Sequence, residues 1–174
     1  LTNAASYRVF RSFNNGGFTL VGSPAVSNFT DSGLATNTTY LYQVKAADIA
    51  STVGPVSNTD LATTIPFTDD PIVTGSTTIK VVNLTELRTA VNAARASAGL
   101  SPATFTDPSP AGVLIKLIHL TDLRSNLAAA PAPNGVPSRG LPDPPHPRGQ
   151  QAKAPPTTGR RPGVSVAVSA VSRP

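Results

Sequence analysis

Thr39-Tyr40-Leu41-Tyr42-Gln43-Val44-Lys45-Ala46-Ala47-Asp48 is the stretch that decides the fold of the opening third. Tyr40, Tyr42, Val44 and Ala46 fall on one face of an extended chain, and Leu41, Gln43 and Lys45 on the other, the period of two that marks a half-buried strand. The same alternation runs through Tyr7-Arg8-Val9-Phe10-Arg11-Ser12. Asn14-Asn15-Gly16-Gly17 then supplies residues that tolerate positive φ, and Phe18-Thr19-Leu20-Val21 resumes a strand, so a hairpin is expected. Phe29-Thr30-Asp31-Ser32-Gly33 reads as a short strand ending in a turn, and Val56 to Ile65 as a last strand after a Gly54-Pro55 turn. Short strands at this spacing predict an antiparallel β-sandwich.

The strand set Tyr7–Ser12, Phe18–Val21, Phe29–Leu34 and Asn37–Ala46 resembles the later strands of a fibronectin type III domain. The spacing from Leu34 to Tyr40 is similar to that family's tyrosine corner, in which the hydroxyl bonds back to upstream backbone. The resemblance covers residues 1–64 and lacks the first two strands with their core Trp. It therefore implies a partial immunoglobulin-like sandwich with an exposed edge. Leu34, Tyr40 and Tyr42 are expected to be structural residues of its core. No Arg-Gly-Asp triplet occurs, so integrin-type attachment has no support.

Beyond residue 65 the period changes. A shift of 36 residues pairs Ile79-Lys80 with Ile115-Lys116, Leu84-Thr85 with Leu120-Thr121, Leu87-Arg88 with Leu123-Arg124, and Ala93-Ala94 with Ala129-Ala130. Upstream, Phe67-Thr68-Asp69 matches Phe105-Thr106-Asp107 with two residues fewer before the helix. The self-similarity predicts two repeats over 66–130, each an extended lead, a turn and one amphipathic helix. Leu84, Leu87, Val91 and Ala94 form the expected apolar stripe, with Leu120 and Leu123 as structural counterparts. Asn83 and Glu86 have the spacing of a capping box, which puts the helix start at Asn83, and Gly99 stands where a helix stops. The units resemble short helical repeats that follow fibronectin type III domains in bacterial multidomain surface proteins.

The chemistry-bearing residues give little. Asp69, Asp70 and Asp107 could offer oxygen to a cation but lack the spacing of a calcium loop, so turn and capping roles are expected and no metal is assigned. His119 stands where the first unit has Asn83, with no second His or Cys in reach by sequence, and a capping or surface position is expected. Arg88 and Arg124 with Glu86 and Asp122 are expected to make surface or inter-repeat ion pairs. No phosphate loop, nucleophile elbow or pair of catalytic acids is present, so no catalytic residue and no cofactor is assigned.

Among 174 residues there are 14 Lys and Arg against 9 Asp and Glu, 18 Pro, and no Cys, Met or Trp. Zero Cys excludes disulfides and thiol chemistry. No apolar run reaches the ~20 residues of a membrane span. The lack of any Met predicts an internal or processed piece. Charge cancels over 1–65 and over 66–130; the net +5 lies in 131–174, where six Lys or Arg meet only Asp143 and 11 prolines gather. That tail is expected to be disordered or polyproline-like, with Val164–Val168 an isolated strand-like run. It is either a cell-envelope spacer or an out-of-frame read. The chain is thus expected to be a noncatalytic fragment of an extracellular or cell-surface bacterial protein, a spacer, adhesion or protein-interaction module. Expected partners are other domains of the same polypeptide, and a cell-wall polymer or protein ligand, with no nucleic acid. Two other readings stand: an accessory region of a secreted hydrolase, and a carbohydrate or cell-wall binding module.

Overall fold

A computed structural model describes residues 4–130 and the strand at 167–170. The disorder expected over most of 131–174, and its out-of-frame reading, lie outside the described residues. The architecture is β-rich with two helices. Strands β1 (Ser6–Phe13), β2 (Thr19–Gly22), β3 (Asn28–Asp31), β4 (Thr39–Ala47), β5 (Val53–Val56) and β6 (Asp60–Thr63) precede helices α1 (Val81–Ser97) and α2 (Leu117–Ala128), and β7 is Ala167–Ala170. The main sheet runs β2-β1-β4, with β5 and β6 both on the far edge of β4. All these pairings are antiparallel.

The β1–β2 hairpin forms because Asn14 and Asn15 both take positive φ, at 46° and 57°. The Gly16 N–H closes the turn on the Phe13 carbonyl at 2.9 Å. β1 then pairs along its whole length with β4, putting Arg11 opposite Tyr42. Val9, Leu34, Tyr40 and Tyr42 make one buried cluster, with Val21, Phe29, Val44 and Ala62 packed against it. Leu41, on the opposite face by alternation, is also buried, and α1 packs against β4 and β6. Both faces of β4 are therefore covered over its first half.

The run expected as one strand from Val56 to Ile65 is two strands. The reversal after β4 lies at Asp48–Thr52, not at Gly54-Pro55: the Asp48 Oδ1 accepts the Thr52 N–H at 2.8 Å, and Ser51 has φ 63°. Gly54 and Pro55 sit inside β5, beside an irregular step in the β4 register between Lys45 and Ala47. Proline is tolerated at such an edge because it need not donate to the ladder. Ser57 next uses both backbone and side chain on Val44, donating its N–H to the Val44 carbonyl at 2.8 Å and accepting the Val44 N–H at 2.9 Å.

The strand-like run of the tail is placed at Ala167–Ala170 and is not isolated, since it pairs in parallel with β3.

In the helical part, the apolar stripe is narrower than its spacing predicts. Leu84, Val91, Leu123 and Ala94 are buried, but Leu87 is 41% and Leu120 48% exposed. Leu84, Val91 and Leu123 meet with Ala103, Phe105 and Leu127, and Ala94, Ala98 and Ala130 form a second contact between the helices. Arg95 adds to it, donating to the Asn126 carbonyl at 3.3 Å. Gly99, at φ 70°, lets the chain leave α1, with the Leu100 N–H returning to the Arg95 carbonyl at 2.9 Å.

Candidate functional site

The polar side chains of the helical part converge on the two leads, and the same scheme is built at both. In the first, the Thr68 N–H donates to Glu86 Oε1 at 3.0 Å, and the Thr68 hydroxyl donates to that same oxygen. Asp69 accepts Lys80 Nζ at 2.8 Å and Asn83 Nδ2 at 2.9 Å. In the second, the Thr106 N–H donates to Asp122 Oδ2 at 2.7 Å, and Asp107 accepts Lys116 Nζ at 3.4 Å and His119 Nε2 at 3.0 Å.

Asn83 and His119 play one role with different chemistry. Both stand three residues after the N-cap, Lys80 or Lys116, and not at it. The Lys80 N–H donates to Asn83 Oδ1 at 2.7 Å, and the Lys116 N–H to His119 Nδ1 at 3.2 Å. Each side chain thus accepts at one atom and donates to an aspartate at another. For His119 this bonding assigns the ring proton to Nε2 and keeps Nδ1 as acceptor. Asn83 is therefore not the N-cap that its pairing with Glu86 implied. Nor is His119 a surface residue: it is 1% exposed, among the most deeply buried side chains.

Hydrogen bonds from Lys80 and Asn83 hold the Asp69 carboxyl below its usual range, and the bond from His119 does the same for Asp107. For Asp122 the main cause is the Thr106 backbone N–H. All three are locked as anions at neutral pH.

Arg88 departs most from expectation. It makes no surface ion pair with Glu86, whose Oε1 is taken by Thr68. Arg88 is 7% exposed and reaches into the second lead. There Nη2 donates to the Thr106 carbonyl at 2.7 Å, and Nη1 donates to the carbonyls of Asp107 at 2.9 Å and Pro108 at 3.4 Å. Its guanidinium carbon lies 4.9 Å from the Phe105 ring centre. A planar fork over an aromatic face suits the guanidinium and would not suit an ammonium. A groove of about 360 Å³ runs alongside, lined by Thr85, Thr89, Asn92, Phe105 and Pro108 with Arg88 itself. Asn92 Oδ1 is committed to the Ala103 N–H at 2.8 Å.

In the strand part, the Tyr40 hydroxyl accepts the Ala35 N–H at 3.0 Å. Asp31 of β3 is gripped by Arg11 Nη1 at 2.8 Å and by the Tyr42 hydroxyl at 2.9 Å, which ties β3 to the main sheet. Burial first, and the Asp31 carboxylate next, push the Tyr42 hydroxyl well above its ordinary value, so it remains a donor. Leu34 closes the same cluster.

Among the described residues no three His, Asp or Glu side chains gather where a metal could be held. No helix among them is long and apolar enough to cross a membrane. Comparison with protein-family models, curated proteins and solved structures finds no match for the chain.

Proposed function

We propose that the chain is a noncatalytic fragment of a modular extracellular or cell-surface bacterial protein, acting as a spacer and protein-interaction module. In this reading residues 1–65 form a partial two-layer sandwich of the fibronectin type III kind, and 66–130 hold two copies of one helical unit. The observation that carries it is the doubled hydrogen-bond scheme, in which Asp69 with Asn83 and Asp107 with His119 fasten each lead to its own helix. Arg88 then fastens the first helix to the second lead. Asp69, Glu86, Arg88, Asp107, His119 and Asp122 are engaged in joining segments, which is what a spacer requires. The sandwich part of the reading draws support from the Tyr40 hydroxyl bond to upstream backbone and from Asp31 joining β3 to the main sheet.

The test is cosedimentation of the purified chain with insoluble peptidoglycan and with chitin. A spacer stays in the supernatant at every concentration. Saturable binding that Arg88→Ala or Arg124→Ala abolishes would replace this reading with a cell-wall receptor.

A further inference from the structure

On the face of the main sheet that carries Leu41, Leu41 and its register partner Ser12 are buried, but the next two rows are open. In one row Phe10 of β1 stands between Gln43 of β4 and Leu20 of β2. In the other, Lys45 of β4 stands between Arg8 of β1 and Val56 of β5. Register partners share a face, so these six side chains lie together, on the side away from the Val9, Tyr40 and Tyr42 cluster. Leu20 is 54% and Val56 47% exposed, and the other four are half-buried. The two cations have no anion. Arg11, Lys80 and Lys116 each hold a carboxylate, and Arg88 and Arg95 hold carbonyls. Among the described residues no carboxylate pairs with Arg8 or Lys45, and Lys45 Nζ instead lies 5.5 Å from the Phe10 ring centre. Like charges directly opposite on neighbouring strands oppose folding, so this pair costs the sheet stability.

We propose that this open part of the sheet face docks a short acidic peptide segment of another protein, with a carboxylate between Arg8 and Lys45 and aliphatic side chains over Leu20, Phe10 and Val56. The proposal deepens the reading of the chain as a protein-interaction module and rests on it. The unpaired cations call for an anion, and directly opposed residues stand about 5 Å apart at Cβ, close enough for both to reach one carboxylate. The exposed Leu20 and Val56 on either side call for apolar cover. A peptide with acidic and aliphatic residues supplies both, whereas a polysaccharide supplies only the charge. Binding also removes the repulsion between the two cations, which the free chain bears. The patch spans about 14 Å across the strands and about 7 Å along them, the footprint of a few peptide residues. A contact of that size is weak, with a dissociation constant on the order of 10⁻⁴ to 10⁻³ M.

Heteronuclear NMR of the isotope-labelled full chain, titrated with a synthetic peptide of alternating glutamate and valine, tests it. The six Lys or Arg of 131–174 attract any polyanion, so the position of the shifted amides decides the outcome. Saturable shifts are expected on β1, β2, β4 and β5 around Arg8, Leu20, Lys45 and Val56. Arg8→Gln with Lys45→Gln is expected to weaken them at least tenfold, and Leu20→Ser severalfold. A glutamate and serine peptide should bind more weakly, and a lysine and valine peptide not at all. Spectra of the free variants that match wild type away from the patch show that the fold is kept. Shifts confined to 131–174 overturn the site, as does binding that the double variant leaves unchanged. Perturbation of the same amides by phosphatidylglycerol vesicles and not by the peptide overturns it in favour of a lipid surface. The module reading is judged separately, by the cell-wall cosedimentation, in which Arg8 and Lys45 take no part.

Discussion

Arg88→Ala removes the contact that joins the two helical segments, and its cost follows from the geometry. The two shorter bonds, at 2.7 Å to Thr106 and 2.9 Å to Asp107, are charge-assisted, each contributing about 1.5 to 3 kcal/mol net. The bond to Pro108 at 3.4 Å is at the long limit and adds little. Stacking on Phe105 contributes a further ~1 kcal/mol. Against this, Nε is buried without a hydrogen-bond partner among the described residues, so part of the desolvation cost of the guanidinium is recovered on truncation. A net loss of about 3 kcal/mol is expected, and the groove beside Arg88 admits water to the freed carbonyls. Arg88→Lys keeps the charge but offers no planar fork, and should recover less than half of the loss. The assay is urea denaturation followed by circular dichroism at 222 nm, which reports chiefly on α1 and α2. If Arg88→Ala lies within about 0.5 kcal/mol of wild type, as an ordinary surface substitution would, the carbonyl contacts do not hold the segments together and the reasoning fails.

His119→Ala deletes a fully buried ring, leaves the Lys116 N–H without its acceptor and takes one of the two donors from Asp107. A loss of about 2 to 4 kcal/mol is expected in the same melt, whereas His119→Asn, copying the working arrangement at Asn83, should retain most of the helix. Tyr42→Phe removes one of the two groups on Asp31 and should cost about 1 to 2 kcal/mol; Asp31→Ala, which strands both Arg11 and the Tyr42 hydroxyl, should cost more, measured by near-ultraviolet dichroism of the tyrosines. Asp69, Asp107 and Asp122 all have folded-state pKa values below the ordinary 3.8. Their contribution is therefore complete above that value and lost as pH falls through the lower folded-state values. Helical ellipticity should hold to about pH 4 and drop below it, and a profile flat to pH 2 would contradict the assignment of these anions as fasteners.

Much of the strand part was legible because alternation is a direct record of which face is wet. Thr39 to Ala47 and Ser6 to Phe13 carry that pattern through most of their length, and Asn14-Asn15 announces its own turn. The division of β5 from β6 was not legible. Gly54 and Pro55 are turn formers by composition, yet the reversal is made by the Asp48 side chain capping the Thr52 N–H, a contact no periodicity reveals. In the helical part, Asn83 misled because Asn is favoured at an N-cap, whereas here it reaches back from three residues further on. The clue lay in its pairing with His119. The two side chains share little beyond having one acceptor and one donor, and only a role that uses both explains why either serves. Arg88 likewise sits between Leu84 and Val91, in the middle of the apolar stripe, which is a poor place for a solvated charge. The expected surface or inter-repeat ion pair overlooked that position, and the carbonyls Arg88 meets belong to a lead 18 to 20 residues away and could not be read from the sequence.

The parallel pairing of β3 with β7 makes the intervening polypeptide, both helices included, a closed loop. A mechanical load applied at the start of β3 and at the end of β7 would pass across that strand pair. Parallel strands tugged from such opposite ends are sheared, so their ladder bears the strain collectively and does not unzip one rung at a time. While the pairing survives, α1 and α2 are spared tension; once it parts, they come into the loaded path.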